Sequence, residues 1–188
     1  MRNLIDLSRR ARSAKPAGAL KFFLLAAVGG LALTAAPQYA AARNVVSISP
    51  SVAPGTIVIS AGQRRLFYVV DTGVAISYPV AVPKRGKEWS GETSVAGKYV
   101  NPDWVPPAVV KADHPELPNF IPGGSPRNPM GVRALTLSNG EVAIHGTTHK
   151  MRASIGTAAS YGCIRMLNED VSDLYDRVSV GAPVMMTH

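Results

Sequence analysis

Hydrophobic and polar positions alternate along the first half of the chain that follows the N-terminal segment, which is typical of half-buried β-strands. A β-branched run at Thr56–Ser60 predicts one short strand. Alternation over Arg65–Val70, a turn at Asp71–Gly73 and a second apolar run at Val74–Val82 predict a hairpin. Lys98–Val100 predicts a further strand. We therefore expect this half of the domain to be β.

A second hairpin is predicted beyond residue 130. Val132–Leu137 and Glu141–His145 both have the composition of strands, and the dipeptide Asn139-Gly140 lies between them. Asn-Gly favours a tight type I′ turn, because both central residues of that turn adopt a positive φ. His145 is therefore expected at the end of a strand.

The apolar spacing becomes helical near the C-terminus. Asn168 is expected to cap a helix, with Glu169 and Asp170 favourably placed in its first turn. One face of this helix collects the apolar side chains Val171, Leu174, Tyr175 and Val178. Gly181–Pro183 ends the helix, and Val184–Met186 predicts a closing strand. Together these elements predict a mainly β domain with one late α-helix.

Prolines and glycines interrupt the pattern between Asn101 and Pro129. Each proline removes a backbone donor, so this segment is not expected to supply central strands. Long irregular segments in small domains are usually functional, and we interpret residues 101–129 as a lid loop over a site. A disordered insertion is the alternative. Trp104, Phe120 and Ile121 argue against it, because they offer apolar surface to bury.

The N-terminal segment has the layout of a secretory signal peptide. Basic residues precede the uncharged apolar run Phe22–Ala36, and Ala40 and Ala42 then form an A-x-A cleavage site. We predict a signal peptide over residues 1–42 and a mature catalytic domain over residues 43–188. An uncleaved membrane anchor is the alternative. Export would place the mature protein in the periplasm.

Removal of this segment changes the charge of the protein. Six of the 20 basic residues and one of the 12 acidic residues lie within residues 1–42, so the remainder carries +3 rather than +8. Residues 43–188 show no clustered basic stripe with interleaved aromatic side chains, so nucleic-acid binding is not expected. A mild positive charge suits loose association with an anionic cell wall.

Cys163 is the one cysteine of the chain. In an oxidising compartment cysteines usually pair, so an unpaired thiol is either a small buried hydrophobe or a functional group. A thiol needs a base to become the attacking thiolate, and histidine is the side chain suited to that near neutral pH. His145, followed by a glycine, is the candidate base.

The neighbours of Cys163 fit a crowded catalytic site. Gly162 lets backbone N–H groups approach a ligand, and the amides of Tyr161, Gly162 and Cys163 are candidates for an oxyanion hole. Arg165 has two interpretations that remain open. It either raises the electrostatic potential around the thiolate or binds a substrate carboxylate, or it is a structural hydrogen-bonding clamp.

A metal site is the rival interpretation of the same residues, because His145, His149 and Cys163 are all metal-ligand types. His145 ends a strand, so the shared helical face of an i, i+4 pair is not available. We therefore expect no metal here and place His149 in an exposed loop or at the rim of the site. No cofactor is expected, since a thiol, an imidazole and amides suffice for acyl transfer.

These motifs resemble the L,D-transpeptidase catalytic domain of the YkuD type. The signature of that family is a His-Gly pair, a spacer, and then Ser-His-Gly-Cys-x-Arg or a close variant. This chain has HGTTHKMRASIGTAASYGCIRM, and its surroundings are similar to the ErfK-like branch at residues 101–107 (NPDWVPP), 122–124 (PGG), 128–135 (NPMGVRAL) and 168–171 (NEDV). The resemblance covers nearly all of residues 43–188 and implies a β-sandwich.

The resemblance also implies residue roles. Cys163 would be the nucleophile, His145 the general base and acid, and the carbonyl of Gly146 the group that orients the histidine. Tyr161 stands where the family commonly has a histidine, and its backbone N–H is retained. Substrate contacts are assigned to five residues: Arg165, Thr147, Ser160, Asn128 and Met130.

The implied reaction is acyl transfer on peptidoglycan tetrapeptide stems. A Cys163 thioester would form with release of D-Ala, and an amine would then attack it. The amine of another stem would give a 3→3 crosslink, whereas an outer-membrane protein would become attached to the wall. The resemblance further implies acylation by carbapenems. No nucleic-acid partner and a monomeric state are expected.

Three alternatives stay open at this point. Water as the acceptor would make the protein an L,D-carboxypeptidase. A sortase-like transpeptidase shares the order His, Cys, Arg, although its arginine normally lies well after the cysteine. A wall-binding module with a degenerate site is the non-enzyme alternative, which predicts the loss of the cysteine or the histidine. Both are present.

Overall fold

Strands dominate the regular structure between residues 43 and 188, the part of the chain that this computed structural model describes. The predicted signal peptide, residues 1–42, lies outside the described residues. The strands are β1 (Asn44–Ser47), β2 (Ile57–Ser60), β3 (Arg65–Asp71), β4 (Val74–Pro79), β5 (Val82–Pro83), β6 (Gly91–Val100), β7 (Arg133–Leu137), β8 (Ala143–His145), β9 (Ala158–Ser160), β10 (Ile164–Arg165) and β11 (Pro183–Thr187). The helices are α1 (Ala108–Asp113), α2 (Asn168–Arg177) and a 3-10 helix at His149–Ser154.

The two predicted hairpins are confirmed. β3 and β4 pair antiparallel around the Asp71–Gly73 turn, and β7 and β8 pair antiparallel around Asn139-Gly140. Gly140 has a φ of 102°, but Asn139 is not among the positive-φ residues of the described chain, so the predicted type I′ turn was wrong. Leu137 N–H instead donates to the Val142 carbonyl, which closes a longer connection around the same dipeptide. The closing strand β11 is also present, and it pairs with β2 on one side and β6 on the other.

One long strand joins the two layers of the fold. Nine strands follow the order β1-β4-β3-β2-β11-β6-β7-β8-β10, and β5 pairs separately with β9. The first four residues of β6 pair with β11. Val95 and then Gly97–Val100 pair with β7, with a register shift between Val95 and Gly97. Such irregularities let a strand bend from one sheet into another. The sequence predicted only the last three residues of β6, because its first part lacks clear alternation.

The hydrophobic core lies between these layers. Fully buried side chains from β2 and β3 form one cluster with those from β7, β8 and β10, among them Ile57, Ile59, Leu66, Leu135, Ile144 and Ile164. Burial of each such side chain contributes about 1.5–3 kcal/mol. The apolar face of α2, with Val171 and Leu174, packs on the same cluster. This mainly β sandwich with a late helix is the fold that the sequence predicted.

Asn168 differs from its predicted role. Leu167 is the N-cap of α2, and no side chain caps the helix. Asn168 is instead the first helical residue, and its amide is directed at the backbone of Thr147. The prediction was wrong because a tertiary contact uses the side chain that a local cap would have needed.

The lid loop, residues 101–129, is irregular but packed down. It contains α1 and a short bridge between Trp104 and Ile121. Asn128 holds it together, since its amide nitrogen lies 2.8 Å from the Pro102 carbonyl oxygen and 3.1 Å from that of Pro122. Ile121 is buried as predicted, whereas Phe120 is exposed. Among residues 43–188, no helix is both long and apolar enough to cross a bilayer.

Candidate active site

The register between two short strands brings the candidate base and nucleophile to one face. β8 and β10 run parallel, with Ile144 opposite Ile164 and His145 opposite Arg165. Side chains of opposed residues share a face, and alternate residues along a strand return to it. Cys163 directly precedes β10, so it projects on the same side as His145 and Arg165. All three line one cavity of about 550 Å³.

The catalytic edge, which we define as residues 143–146 and 160–165, holds His145 in one tautomer. Only 4% of His145 is exposed, and its Nδ1 lies 2.8 Å from the carbonyl oxygen of Gly146. A carbonyl oxygen only accepts, so Nδ1 carries the proton and Nε2 is the basic nitrogen of the neutral ring. The family resemblance implied the Gly146 carbonyl at this position.

The electrostatic surroundings keep this imidazole neutral. Burial is the main cause that lowers the pKa of His145 to about 4, and the positive charge of Arg165 lowers it further. The carbonyls of Gly146 and Pro129 act in the opposite direction. At neutral pH the ring can therefore accept a proton.

Cys163 is a protonated thiol at rest. Burial is the main cause that raises its pKa, although the Ala143 backbone and the charge of Arg165 pull the other way. Its Sγ lies 4.0 Å from the carbonyl oxygen of Glu141, and within the described chain it makes no hydrogen bond to the imidazole. Catalytic hydrogen bonds are often long before substrate binds. The resting pair is thus neutral thiol and neutral imidazole.

The loop before Cys163 contains backbone N–H groups that lack partners within residues 43–188. Gly162 has a φ of 134°, which side chains disfavour. Its N–H is 3.3 Å from Ser160 Oγ, whose hydroxyl donates to the Cys163 carbonyl. The N–H groups of Tyr161 and Cys163 donate to no residue that the structure describes. Two of the three predicted oxyanion amides are therefore free to donate to a ligand.

Asn168 holds the backbone that follows His145 and Gly146. The sequence did not predict this contact. Asn168 Oδ1 accepts from the Thr147 N–H at 2.9 Å, and its Nδ2 donates to the Thr147 carbonyl at 3.0 Å. A Cβ on Gly146 would come within 2.2 Å of this Oδ1. The glycine after His145 therefore gives the amide room to approach. The NEDV motif contained the residue but gave no sign of this contact.

Arg165 is a buried cation two residues after Cys163. It is 8% exposed, its Nη1 donates to Ser154 Oγ at 2.7 Å, and its Nε has no hydrogen-bond partner within residues 43–188. No ion pair to Arg165 occurs in the described chain. The Ser154 contact supports the interpretation of Arg165 as a structural clamp. The Nε–H remains able to donate a hydrogen bond to a ligand oxygen as well.

Tyr161 connects the catalytic edge to the lid loop. Its hydroxyl donates to Asp113 Oδ2 at 2.7 Å, at the end of α1. Lys84 lies over the Tyr161 ring at 3.6 Å and 3.5 Å from the same carboxylate oxygen. The Tyr161 hydrogen bond is the main cause that lowers the pKa of Asp113.

The remaining predicted substrate residues divide into two groups. Met130 and Ser160 line the cavity. Asn128 and Thr147 do not, because the Asn128 side chain binds backbone groups of the lid loop and of Met130, and the Thr147 backbone is held by Asn168. His149 begins the 3-10 helix. Within residues 43–188 no three His, Cys, Asp or Glu side chains are grouped as metal ligands.

Comparison with known families decides the relationship. The family model described as the L,D-transpeptidase catalytic domain matches residues 54–186, which include the whole catalytic edge. The chain belongs to this family. The relationship inferred from the sequence motifs is thereby confirmed.

The curated relatives of this L,D-transpeptidase family member extend well beyond the matched region. The probable L,D-transpeptidase YbiS of Escherichia coli K12 is 35% identical over 142 residues, which cover 71% of this chain and 44% of that protein. The probable L,D-transpeptidase ErfK/SrfK of the same strain is 33% identical over 146 residues, covering 74% and 46%. This chain thus spans less than half the length of these two relatives.

Solved structures support the fold. An L,D-transpeptidase from Mycobacterium smegmatis has a TM-score of 0.57 at 21% identity, over 71% of this chain and 58% of that one. A Brucella melitensis structure described as a probable carnitine operon oxidoreductase is 37% identical, with a TM-score of 0.51 over 78% and 92%. The two descriptions name different reactions, so a description alone assigns no reaction to this chain.

Proposed function

We propose that this protein is an exported, cysteine-dependent L,D-transpeptidase that acts on peptidoglycan tetrapeptide stems. The observation that carries the proposal is the shared face of His145 and Cys163 in one cavity, with the imidazole held by the Gly146 carbonyl. Family membership supplies the reaction class. The names of relatives such as YbiS support it.

The first half-reaction forms a thioester. His145 Nε2 takes the proton of the Cys163 thiol as the sulfur attacks the carbonyl carbon of the third stem residue. The N–H groups of Tyr161 and Cys163 stabilise the resulting oxyanion. The tetrahedral intermediate then collapses, the imidazolium returns its proton to the departing amine, and D-Ala leaves. The acyl group remains on Sγ.

In the second half-reaction, Cys163 becomes the leaving group and an acceptor amine becomes the nucleophile. An acceptor amine attacks the thioester carbonyl, His145 removes a proton from the amine, and the same proton restores the Cys163 thiol as the C–S bond breaks. A stem amine gives a 3→3 crosslink, and the amine of an outer-membrane protein gives a protein–wall linkage. Water would give L,D-carboxypeptidase activity.

The resting charge state shapes this mechanism. Burial opposes ionisation of both Cys163 and His145, so the thiolate forms during attack rather than beforehand. The nearby charge of Arg165 favours the thiolate once it forms. Arg165 is thus placed to assist the nucleophile, and its unpaired Nε suits a substrate carboxylate.

The proposal includes location and assembly. Residues 1–42 act as a cleavable signal peptide, the domain works in the periplasm as a monomer, and it associates with the wall. Peptidoglycan stems are its substrate, and no metal or cofactor takes part. A sortase-like enzyme is disfavoured because Arg165 follows Cys163 so closely.

Intact-mass analysis after incubation with a carbapenem tests the proposal. We expect the mature protein to gain one covalent adduct and Cys163→Ala to gain none. His145→Ala should form the adduct about a thousandfold or more slowly, at the upper end of general-base effects. Tyr68→Phe, which removes a side-chain hydrogen bond remote from the cavity, serves as the control. Muropeptide analysis of treated sacculi then identifies the acceptor. Undiminished product from either site variant would refute the assignment, and an inert wild type would favour the wall-binding module.

A further inference from the structure

Trp89 contacts the loop before Cys163 from a distant part of the chain. It lies between β5 and β6, and its side chain is partly buried against the hydrophobic core. The indole Nε1–H donates a hydrogen bond to the carbonyl oxygen of Gly162 at 2.9 Å. An indole nitrogen only donates, so the direction of this bond is unambiguous. The reaction steps above assign no role to this side chain.

The bonded oxygen belongs to the peptide that joins Gly162 to Cys163. All described peptides are trans. In a trans peptide the carbonyl oxygen and the following N–H point in opposite directions. Holding the Gly162 oxygen therefore fixes the direction of the Cys163 N–H. This is one of the two amides that donate to no residue of the described chain.

Other contacts of the loop leave this peptide plane unrestrained. Ser160 Oγ binds the Gly162 N–H, which belongs to the preceding peptide, and donates to the Cys163 carbonyl, which belongs to the following one. Gly162 itself has a φ of 134°, and glycine crosses between backbone conformations at little steric cost. Trp89 supplies the contact that this middle peptide otherwise lacks.

We infer that Trp89 is a positioning residue that aims the Cys163 amide at the oxyanion of the transition state. This inference rests on the proposed acyl transfer. Donation into the Gly162 carbonyl also polarises the peptide, which makes the Cys163 N–H a stronger donor. Removal of a whole oxyanion donor lowers kcat on the order of 10²–10³. Trp89→Phe removes the indole N–H but leaves the Cys163 N–H in place and less firmly oriented. We therefore expect the acylation rate to fall roughly tenfold, less than on removal of a whole oxyanion donor.

Two reactions of the same sulfur separate this role from simple scaffolding. Acylation by a carbapenem builds an oxyanion, whereas alkylation by iodoacetamide occurs at saturated carbon and builds none. We expect Trp89→Phe to slow acylation roughly tenfold, within the range of oxyanion effects, while alkylation stays within about twofold. Tyr68→Phe also removes one side-chain hydrogen bond to a backbone carbonyl, that of Arg177, and should change neither rate.

Each outcome has a defined meaning. Equal acylation of the wild type and Trp89→Phe overturns the inference and leaves the proposed function intact. An equal loss in both reactions also overturns it, because the loop as a whole has then moved. A wild type that alkylates but never acylates refutes the proposed function, and this inference with it.

A second variant keeps the test decisive if Trp89→Phe does not fold. The chain has two tryptophans, Trp89 and Trp104. Biosynthetic replacement of tryptophan by β-(3-benzothienyl)alanine in a Trp104→Phe background keeps the ring shape at position 89 and removes only the N–H. Slower acylation with unchanged alkylation, relative to Trp104→Phe containing ordinary tryptophan, supports the inference. Unchanged acylation overturns it.

Discussion

The catalytic edge and the lid loop face the same cavity, but they are held in different ways. His145, Ser160 and Arg165 on the catalytic edge are buried, and their positions follow from strand register and from the two hydrogen bonds of Asn168 to Thr147. The lid loop has no buried residue in α1. Its contacts include those of Asn128, and at α1 the hydrogen bond from Tyr161 and the ion pair from Lys84 to the exposed carboxylate of Asp113.

This difference suits the proposed reaction. A base, a nucleophile and amide donors must be held to fractions of an ångström, which requires rigid supporting contacts. A peptide stem must enter and leave, which requires a segment that can open at low cost. Changes at the catalytic edge should therefore alter the rate of acylation, and changes in the lid loop should alter substrate binding.

The largest contrast is expected in the pH dependence of acylation, between a buried histidine and one with an ordinary pKa. The pKa of His145 is lowered to about 4 by burial and by Arg165, so the ring stays basic in mildly acidic solution. The carbapenem acylation rate should be nearly flat between pH 8 and pH 5. A histidine with an ordinary pKa of about 6.5 would instead lose roughly 30-fold at pH 5. Timed intact-mass spectra measure the profile, and a fall centred near 6.5 would contradict the buried catalytic edge.

The same shift predicts a change in stability. Unfolded His145 titrates near 6.5 and folded His145 near 4, so between these values the unfolded state binds more protons. Its contribution to stability is fully present above about pH 6.5 and declines as the pH falls toward the folded pKa. His145→Ala lacks this contribution. Its melting temperature should fall less than that of the wild type between pH 7 and pH 4.

An intermediate effect is expected at Asn168. Asn168→Ala leaves the N–H and carbonyl of Thr147 without their partner, which should lower the free energy of unfolding by about 1–3 kcal/mol. Small displacements of catalytic groups are costly, so acylation should slow roughly tenfold. Urea unfolding and acylation rates measure both. Ser172→Ala, which breaks a hydrogen bond to the Asn168 carbonyl in the same helix, is the control. Normal acylation by Asn168→Ala would mean that His145 is positioned without it.

Local patterns accounted for much of the catalytic edge. The Asn139-Gly140 dipeptide indicated the connection before β8, the strand that ends at His145. The glycines at 146 and 162 mark a close approach and a positive φ, which are backbone properties that sequence can signal. His145 and Cys163 were therefore recognisable before their positions were known.

Contacts between distant residues were not recognisable. Asn168 has the composition of a helix cap, and only the fold brings Thr147 within reach of its amide. α1 has six residues, too few for a helical period to show among prolines. The resemblance assigned Asn128 to substrate contacts, yet its side chain binds the Pro102 carbonyl within the lid loop and the backbone N–H of Met130 just after it. For Asn168 and Asn128, the partner that decides the role is a backbone group that local sequence does not reveal.

The smallest expected effect is at the junction of the two regions. Tyr161→Phe removes the hydroxyl that binds Asp113 and retains both the ring beneath Lys84 and the backbone N–H. Such a hydrogen bond to a charged group at an exposed position contributes on the order of 1 kcal/mol. We expect faster hydrogen–deuterium exchange in α1 and unchanged exchange in β8.

The kinetic readout separates binding from chemistry. Loosening α1 should raise KM for a tetrapeptide stem by roughly fivefold, the equivalent of about 1 kcal/mol, while kcat stays nearly constant. Tyr99→Phe, at an exposed tyrosine of β6, is the matched control and should change neither value. A fall in kcat at constant KM would show that the Tyr161 hydroxyl acts on the transition state, and the division between a catalytic edge that reacts and a lid loop that binds would then fail at this residue.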